Sequence, residues 1–122
     1  MVVDDEFCVR EICVRFLRLA GYQVQAVASG EEALEAVSRR SYGLVILDLS
    51  LKGMDGLTTF NRLKTTAPDT KVVVISGSVA RFQSELEDAR KHGLLGVLPK
   101  PFALQDLSAV VESAFHARTR AA

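Results

Sequence analysis

Tryptophan is missing from this 122-residue chain, and proline (three) and cysteine (two) are scarce. Two cysteines build neither a disulfide scaffold nor a thiolate zinc site. Cys8 and Cys13 stand five apart in one helical stretch, on different parts of its surface. That spacing is neither CxxC nor a disulfide geometry, so both are expected as small apolar packers in a reducing compartment. Net charge is missing too. Fifteen basic residues face fifteen acidic ones, so no overall field favours nucleic acid or an anionic membrane. No apolar run approaches the roughly 20 residues of a membrane helix. The opening MVVDDEF has neither the basic nor the apolar region of a signal peptide. The expectation is a cytoplasmic protein with no direct nucleic-acid or membrane contact.

What is present is ordinary for one globular domain over residues 1–122: 48% apolar and 25% charged residues. Short apolar runs recur as MVV (1–3), YQVQAV (22–27), LVILD (44–48), KVVVIS (71–76) and LGVLP (95–99). Two of them have almost no polar alternation, which suits strands buried on both faces. Between the runs the period changes. Val9, Ile12, Cys13, Phe16 and Ala20 recur at helical spacing before Gly21. SGEEALEAVSRR (29–40) opens with the capping pair Ser29 and Glu32 and closes on Arg39 and Arg40. GLTTFNRLK (56–64) and ARFQSELEDARKHG (80–93) predict a third and a fourth helix. LQDLSAVVESAFHARTR (104–120), with Leu107, Val110, Val111 and Ala114 as its stripe, predicts a fifth. Five strand-then-helix units with right-handed crossovers make a doubly wound α/β fold with a parallel sheet. The first strand has at most three residues before its acids, which predicts that the chain begins late.

In such a sheet, ligands bind outside the carboxyl ends of the strands. Strand one ends at Asp4 and Asp5, strand three at Asp48, strand four at Ser76 with Gly77, and strand five at Lys100; strand two offers only Ala28 and Ser29. Three carboxylates at one edge repel: at about 4 Å and an effective dielectric near 20, each pair costs about 4 kcal/mol. Either some protonate or a divalent cation joins them, and oxygen donors without His or Cys favour Mg²⁺. A phosphoryl group on Asp48 would take the site to about −4, which Mg²⁺ and Lys100 nearly neutralise. Metal and lysine spread charge on a transferring phosphoryl group, and Ser76 adds a hydroxyl donor. Asp48 therefore reads as a carboxylate nucleophile that accepts phosphate.

VVDDE, VILDLSLKGMDG, VVVISG and LPKPF, in this order and spacing, resemble the receiver domain of a two-component response regulator over essentially the whole chain. The resemblance implies a flavodoxin-like (βα)5 fold with strand order 2-1-3-4-5. It implies transfer of a phosphoryl group to Asp48 from a phosphohistidine of a sensor kinase or histidine phosphotransfer protein. It implies Mg²⁺ held by Asp5 directly, by Asp4 through water, by Asp48, and by the backbone carbonyl of Ser50. Lys100 should pair with the phosphoryl group before a cis bond to Pro101, and Ser76 should be the hydroxyl switch. The only catalysis implied is the domain's own phosphorylation and autodephosphorylation. The readout face would be the fourth helix, fifth strand and fifth helix, meeting an output domain, a partner protein or a second copy. The residues leave open whether the domain stands alone or belongs to a larger regulator or hybrid kinase.

The sequence also departs from the family pattern. Val97 stands where an aromatic is usual, Lys52 where proline is usual, and Ala103 replaces the usual polar cap of the last helix. Ser50 and Ser78 occupy positions that often tune dephosphorylation. Each candidate has a plainer reading as well. Asp4 and Asp5 could cap the first helix, Lys100 could be a solvated lysine, and Ser76 could bond a neighbouring backbone group. Asp55 and Asp69 are expected as cap and turn residues, and His92 and His116 as cations near helix C-termini. The two arginines of ARTR are too few for a nucleic-acid patch. Two other functions compete: a phosphorylation-independent binding module, which Val97 and the short first strand keep open, and a phosphohydrolase of the haloacid-dehalogenase kind. The latter needs an acid where Ser50 stands. A dinucleotide site is dismissed, since no GxGxxG follows the first strand.

Overall fold

The computed structural model describes residues 1–121, with side chains described as far as Phe115. Strands and helices alternate as β1 (Val2–Val3), α1 (Phe7–Leu19), β2 (Ala26–Val27), α2 (Gly30–Arg39), β3 (Leu44–Asp48), α3 (Gly56–Thr66), β4 (Lys71–Ser76), α4 (Gln83–Lys91), β5 (Leu94–Pro99) and α5 (Leu104–Ala121). The strands form one parallel sheet in the order β2-β1-β3-β4-β5. This is the flavodoxin-like arrangement, and its strand order reverses between β1 and β3.

The missing polar alternation has a direct cause. Val45, Leu47, Val72 and Val74 point to one face, against Ala33 of α2, Phe60 and Leu63 of α3, and Leu86 and Ala89 of α4. Leu44, Ile46, Val73 and Ile75 point to the other, against Cys13, Val14 and Leu17 of α1 and Leu107, Val111 and Ala114 of α5. Both faces of β3 and β4 are covered by helices, so the positions ahead of Asp48 on β3 and between Lys71 and Ser76 on β4 are all apolar.

The helix ends follow local chemistry. Ser29 Oγ accepts from the Glu32 amide at 3.1 Å, while Glu32 Oε2 accepts from the Ala28 amide at 2.8 Å. Asp55 caps α3 by accepting from the Thr58 amide at 2.8 Å, as expected. Asp69 lies in the turn before β4. Gly21 and Gly93, just past α1 and α4, hold φ of 98° and 102°, a region glycine enters without strain. His92 caps α4, with Nδ1 2.8 Å from the Asp88 carbonyl oxygen. Ala103 has no polar side chain, but Asp106 Oδ2 accepts from its amide at 3.1 Å, half of a capping box. The side chains of His116 and of the ARTR arginines lie outside the described residues.

Several expectations need correction. Cys8 is exposed, while Cys13 is buried as expected. Five residues of helix rotate Cys8 about 140° from Cys13 and off the packed face. Burial, aided by Asp4, pushes the Cys13 thiol up to about 11, so it is inert. Ile12 is likewise 54% exposed, and Val14 and Leu17 carry the inward stripe with Cys13. The second strand pairs only at Ala26–Val27, because β1 supplies Val2 and Val3 as its partners. The fourth helix starts at Gln83; before it, the Arg81 and Phe82 amides donate to the Ser78 carbonyl in a turn. No helix among the described residues is long and apolar enough to cross a membrane.

Candidate functional site

Strand register gathers the candidate residues. Val3 pairs with Leu47, Asp48 with Ile75, and Ser76 with Pro99. Asp4, Asp48, Ser76 and Lys100 therefore stand one after another along the carboxyl rim, each at or one residue past the end of its strand's ladder. Gly56 lets α3 start against this rim: a Cβ there would lie 2.5 Å from Leu49 Cα and 2.6 Å from the Asp48 carbonyl oxygen. Its amide instead donates to the Leu49 carbonyl at 3.2 Å, fixing the loop that leaves Asp48.

Asp48 is an acidic residue, yet it is only 1% exposed. Oδ1 accepts from the Ser50 amide at 3.1 Å, and Oδ2 accepts from Lys100 Nζ at 3.3 Å. The same ammonium nitrogen is 3.7 Å from Asp4 Oδ2 and 3.8 Å from Glu6 Oε1. Asp4 is also 1% exposed; Oδ1 accepts from the Glu6 amide at 2.9 Å, whereas Oδ2 is buried without a hydrogen-bond partner. A buried carboxylate oxygen that makes no hydrogen bond costs free energy, which the Lys100 ammonium at 3.7 Å offsets only in part.

Charge follows the same geometry. Burial pushes the Asp4 carboxyl up to about 6; its hydrogen bond from the Glu6 amide and the charge of Lys100 pull down, while Asp48 pushes further up. Burial also opposes the charge on Lys100, but Asp48, Asp4 and Glu6 outweigh it and raise the ammonium above its ordinary value. Carboxylate oxygens of Asp4, Glu6 and Asp48 lie within 4.8 Å of one another. All are hard oxygen donors, and one is buried without a hydrogen bond, so the residues fit a divalent cation of the magnesium type.

The structure joins Asp4, Asp48 and Lys100 as the sequence predicts. It places Asp5 at the edge, half-buried, with Oδ2 accepting from the Lys52 amide at 3.2 Å. Ser76 is completely buried; its Oγ accepts from the Ser78 amide at 3.0 Å, and its carbonyl accepts from the Lys100 amide at 2.8 Å. The bond from Lys100 to Pro101 is cis, as the resemblance implies. Glu6 was not singled out by sequence reasoning, although DDE put three acids in a row. The capping role suggested for Asp4 takes the form of a turn: it accepts from the amide two residues on, and Glu6 occupies the N-cap position of α1.

A buried acid beside a lysine at the strand-order reversal of a (βα)5 sheet is the arrangement of a phosphoacceptor domain. The chain matches the response regulator receiver domain family over residues 1–112 and belongs to it. It is 34% identical over 113 residues to "Response regulator MprA" of Mycobacterium leprae, covering 93% of this chain and 49% of that protein. It is 37% identical over 119 residues to "Sensor kinase CckA" of Brucella abortus, covering 92% of this chain and 12% of that protein. The receiver domain of NtrX from Brucella abortus superposes with a TM-score of 0.85 at 32% identity, over 94% of this chain and 96% of that one. A CheY-like receiver domain protein from Methanospirillum hungatei shares the fold, with a TM-score of 0.91 at 19% identity. The chain spans about half the length or less of the curated relatives named here. It is a receiver domain of two-component signalling.

Proposed function

We propose that Asp48 is the phosphoacceptor, with Lys100 and Ser76 as the other groups that meet the phosphoryl oxygens. Asp48 attacks phosphorus as a carboxylate while the phosphorus–nitrogen bond of a phosphohistidine breaks. Asp4, Asp5, Asp48 and the Ser50 carbonyl would hold Mg²⁺. The ion supplies charge compensation for phosphoryl oxygens that the acidic rim would otherwise repel. Lys100 keeps its proton beside three carboxylates and so presents a fixed positive charge to the incoming group. The Ser50 amide orients Asp48 from the other oxygen. Ser76 sits at the end of β4, where turning its hydroxyl to donate to a phosphoryl oxygen would pull on the loop leading to α4.

That pull is the proposed output. Val97 on β5 is partly buried and packs with Val79 and Phe82 against the cluster that contains Leu86 and Ala89 of α4. With no ring at position 97, the change would travel as aliphatic repacking toward the α4–β5–α5 face. The donor would be a sensor histidine kinase or histidine phosphotransfer protein in the cytoplasm. The face would serve an output domain, a partner protein or a second copy. The domain's catalysis would be limited to its own phosphorylation and dephosphorylation.

The observation that carries this reading is a buried Asp48 held 3.3 Å from the Lys100 ammonium, beside an Asp4 oxygen that makes no hydrogen bond. Intact-mass measurement after incubation with a small phosphodonor and Mg²⁺ tests it. One phosphoryl group should be gained by the wild type and none by Asp48→Asn. Equal labelling of both would overturn the assignment.

A further inference from the structure

Helix α1 starts differently from α2 and α3. Ser29 and Asp55 spend their side chains capping α2 and α3, whereas Glu6, the N-cap residue of α1, makes no side-chain cap bond. Its backbone is fixed from outside instead: the Glu6 amide donates to Asp4 Oδ1, with φ −86° and ψ 113°. Arg10, one turn on, donates through Nη1 to the Asp4 carbonyl at 2.6 Å. Glu6 is thus freed from capping and turned back over the rim, where Oε1 stands 3.8 Å from Lys100 Nζ.

Three carboxylates with oxygens inside 4.8 Å do not make a site by themselves. The second observation is Asp4 Oδ2, buried without any hydrogen-bond partner and aimed at the Lys100 end of the same group. Asp5, which the family pattern assigns to the metal, has one oxygen accepting from the Lys52 amide.

Building on the phosphoacceptor reading above, we propose that Glu6 contributes its carboxylate to the divalent-cation site of this chain. The rim then carries a fourth acid beside Asp4, Asp5 and Asp48. Its side chain is 64% exposed, so it costs little to desolvate and can reach a hydrated ion from the solvent side. Its effect should be modest in size: replacing one partly exposed charged partner weakens an interaction by about fivefold. Glu6 takes no part in transferring the phosphoryl group. It sets how much of the domain is loaded with cation at a given concentration.

Titration of Mn²⁺ followed by the free-ion electron paramagnetic resonance signal tests this without any phosphodonor. Wild type, Glu6→Gln and Asp48→Asn are compared, with melting in EDTA as a check that each variant folds. Glu6→Gln should bind Mn²⁺ about fivefold more weakly, retain the wild-type melting temperature in EDTA, and keep its deficit in 0.5 M NaCl. Wild-type affinity in Glu6→Gln, or a deficit erased by salt, would overturn the role of Glu6 while leaving the phosphoacceptor reading intact. No Mn²⁺ binding by the wild type would overturn both.

Discussion

Leu47 and Asp48 are neighbours on β3, and their exposures are 0% and 1%. Leu47 meets apolar side chains from α2 and α3, and its burial stabilises the fold by about 2 kcal/mol. Asp48 meets Lys100, the Ser50 amide and two further carboxylates. The interior is therefore satisfied as it stands, while the rim one residue away holds an excess of like charge in an equally dry place. A buried rim whose Asp4 Oδ2 makes no hydrogen bond is costly on its own, and a bound divalent cation would relieve it. The contrast teaches that burial alone does not distinguish structural from functional residues; the partners do.

Mutations on the two sides of this boundary should have opposite signs. Phe60→Ala empties the centre of the packed cluster, where the ring is 1% exposed, and should destabilise by about 3–5 kcal/mol in chemical denaturation. Phosphoryl acceptance by the folded fraction should survive. Stabilisation, or a loss below 1 kcal/mol, would break the picture of a tightly filled interior.

Asp4→Asn should instead stabilise the metal-free protein. The unfolded chain releases the Asp4 proton near 3.8 and the folded chain near 6, so in that window the folded state binds more protons. Stability should fall as pH rises through the window and stay low above it. The shift corresponds to roughly 3 kcal/mol as an upper bound. Melting in EDTA should show wild type and Asp4→Asn converging toward pH 4 and separating by pH 7, with the variant higher. Added Mg²⁺ should close the gap by raising the wild type. A variant less stable than wild type at pH 7 would break the contrast between rim and interior.

The interior was legible because it obeys one simple rule. Apolar runs such as the VVVI of KVVVIS suit strands that helices cover on both faces, and the crossovers fix the rest. Asp48 was legible for the same reason, since a bare acid closing such a run has few structural excuses. Lys100, Ser76 and Asp4 followed by register once the strands were in place. Glu6 was not legible: an acid at a helix start looks like ordinary dipole chemistry until the missing cap bond is seen. Cys8 and Ile12 were misplaced because thirteen helical residues offer two overlapping apolar stripes, and only tertiary contacts with α5 and the sheet select between them.

The central claim is that the rim, and first of all Asp48, is where this molecule changes state. Backbone amide NMR spectra recorded with Mg²⁺, before and after adding beryllofluoride as a phosphoryl mimic, test it most directly. The amides of Asp4, Ser50, Gly77 and Lys100 should shift, followed by those around Val97, while Phe60 and Leu63 stay in place. A rim whose amides do not move on addition of the mimic would contradict the account.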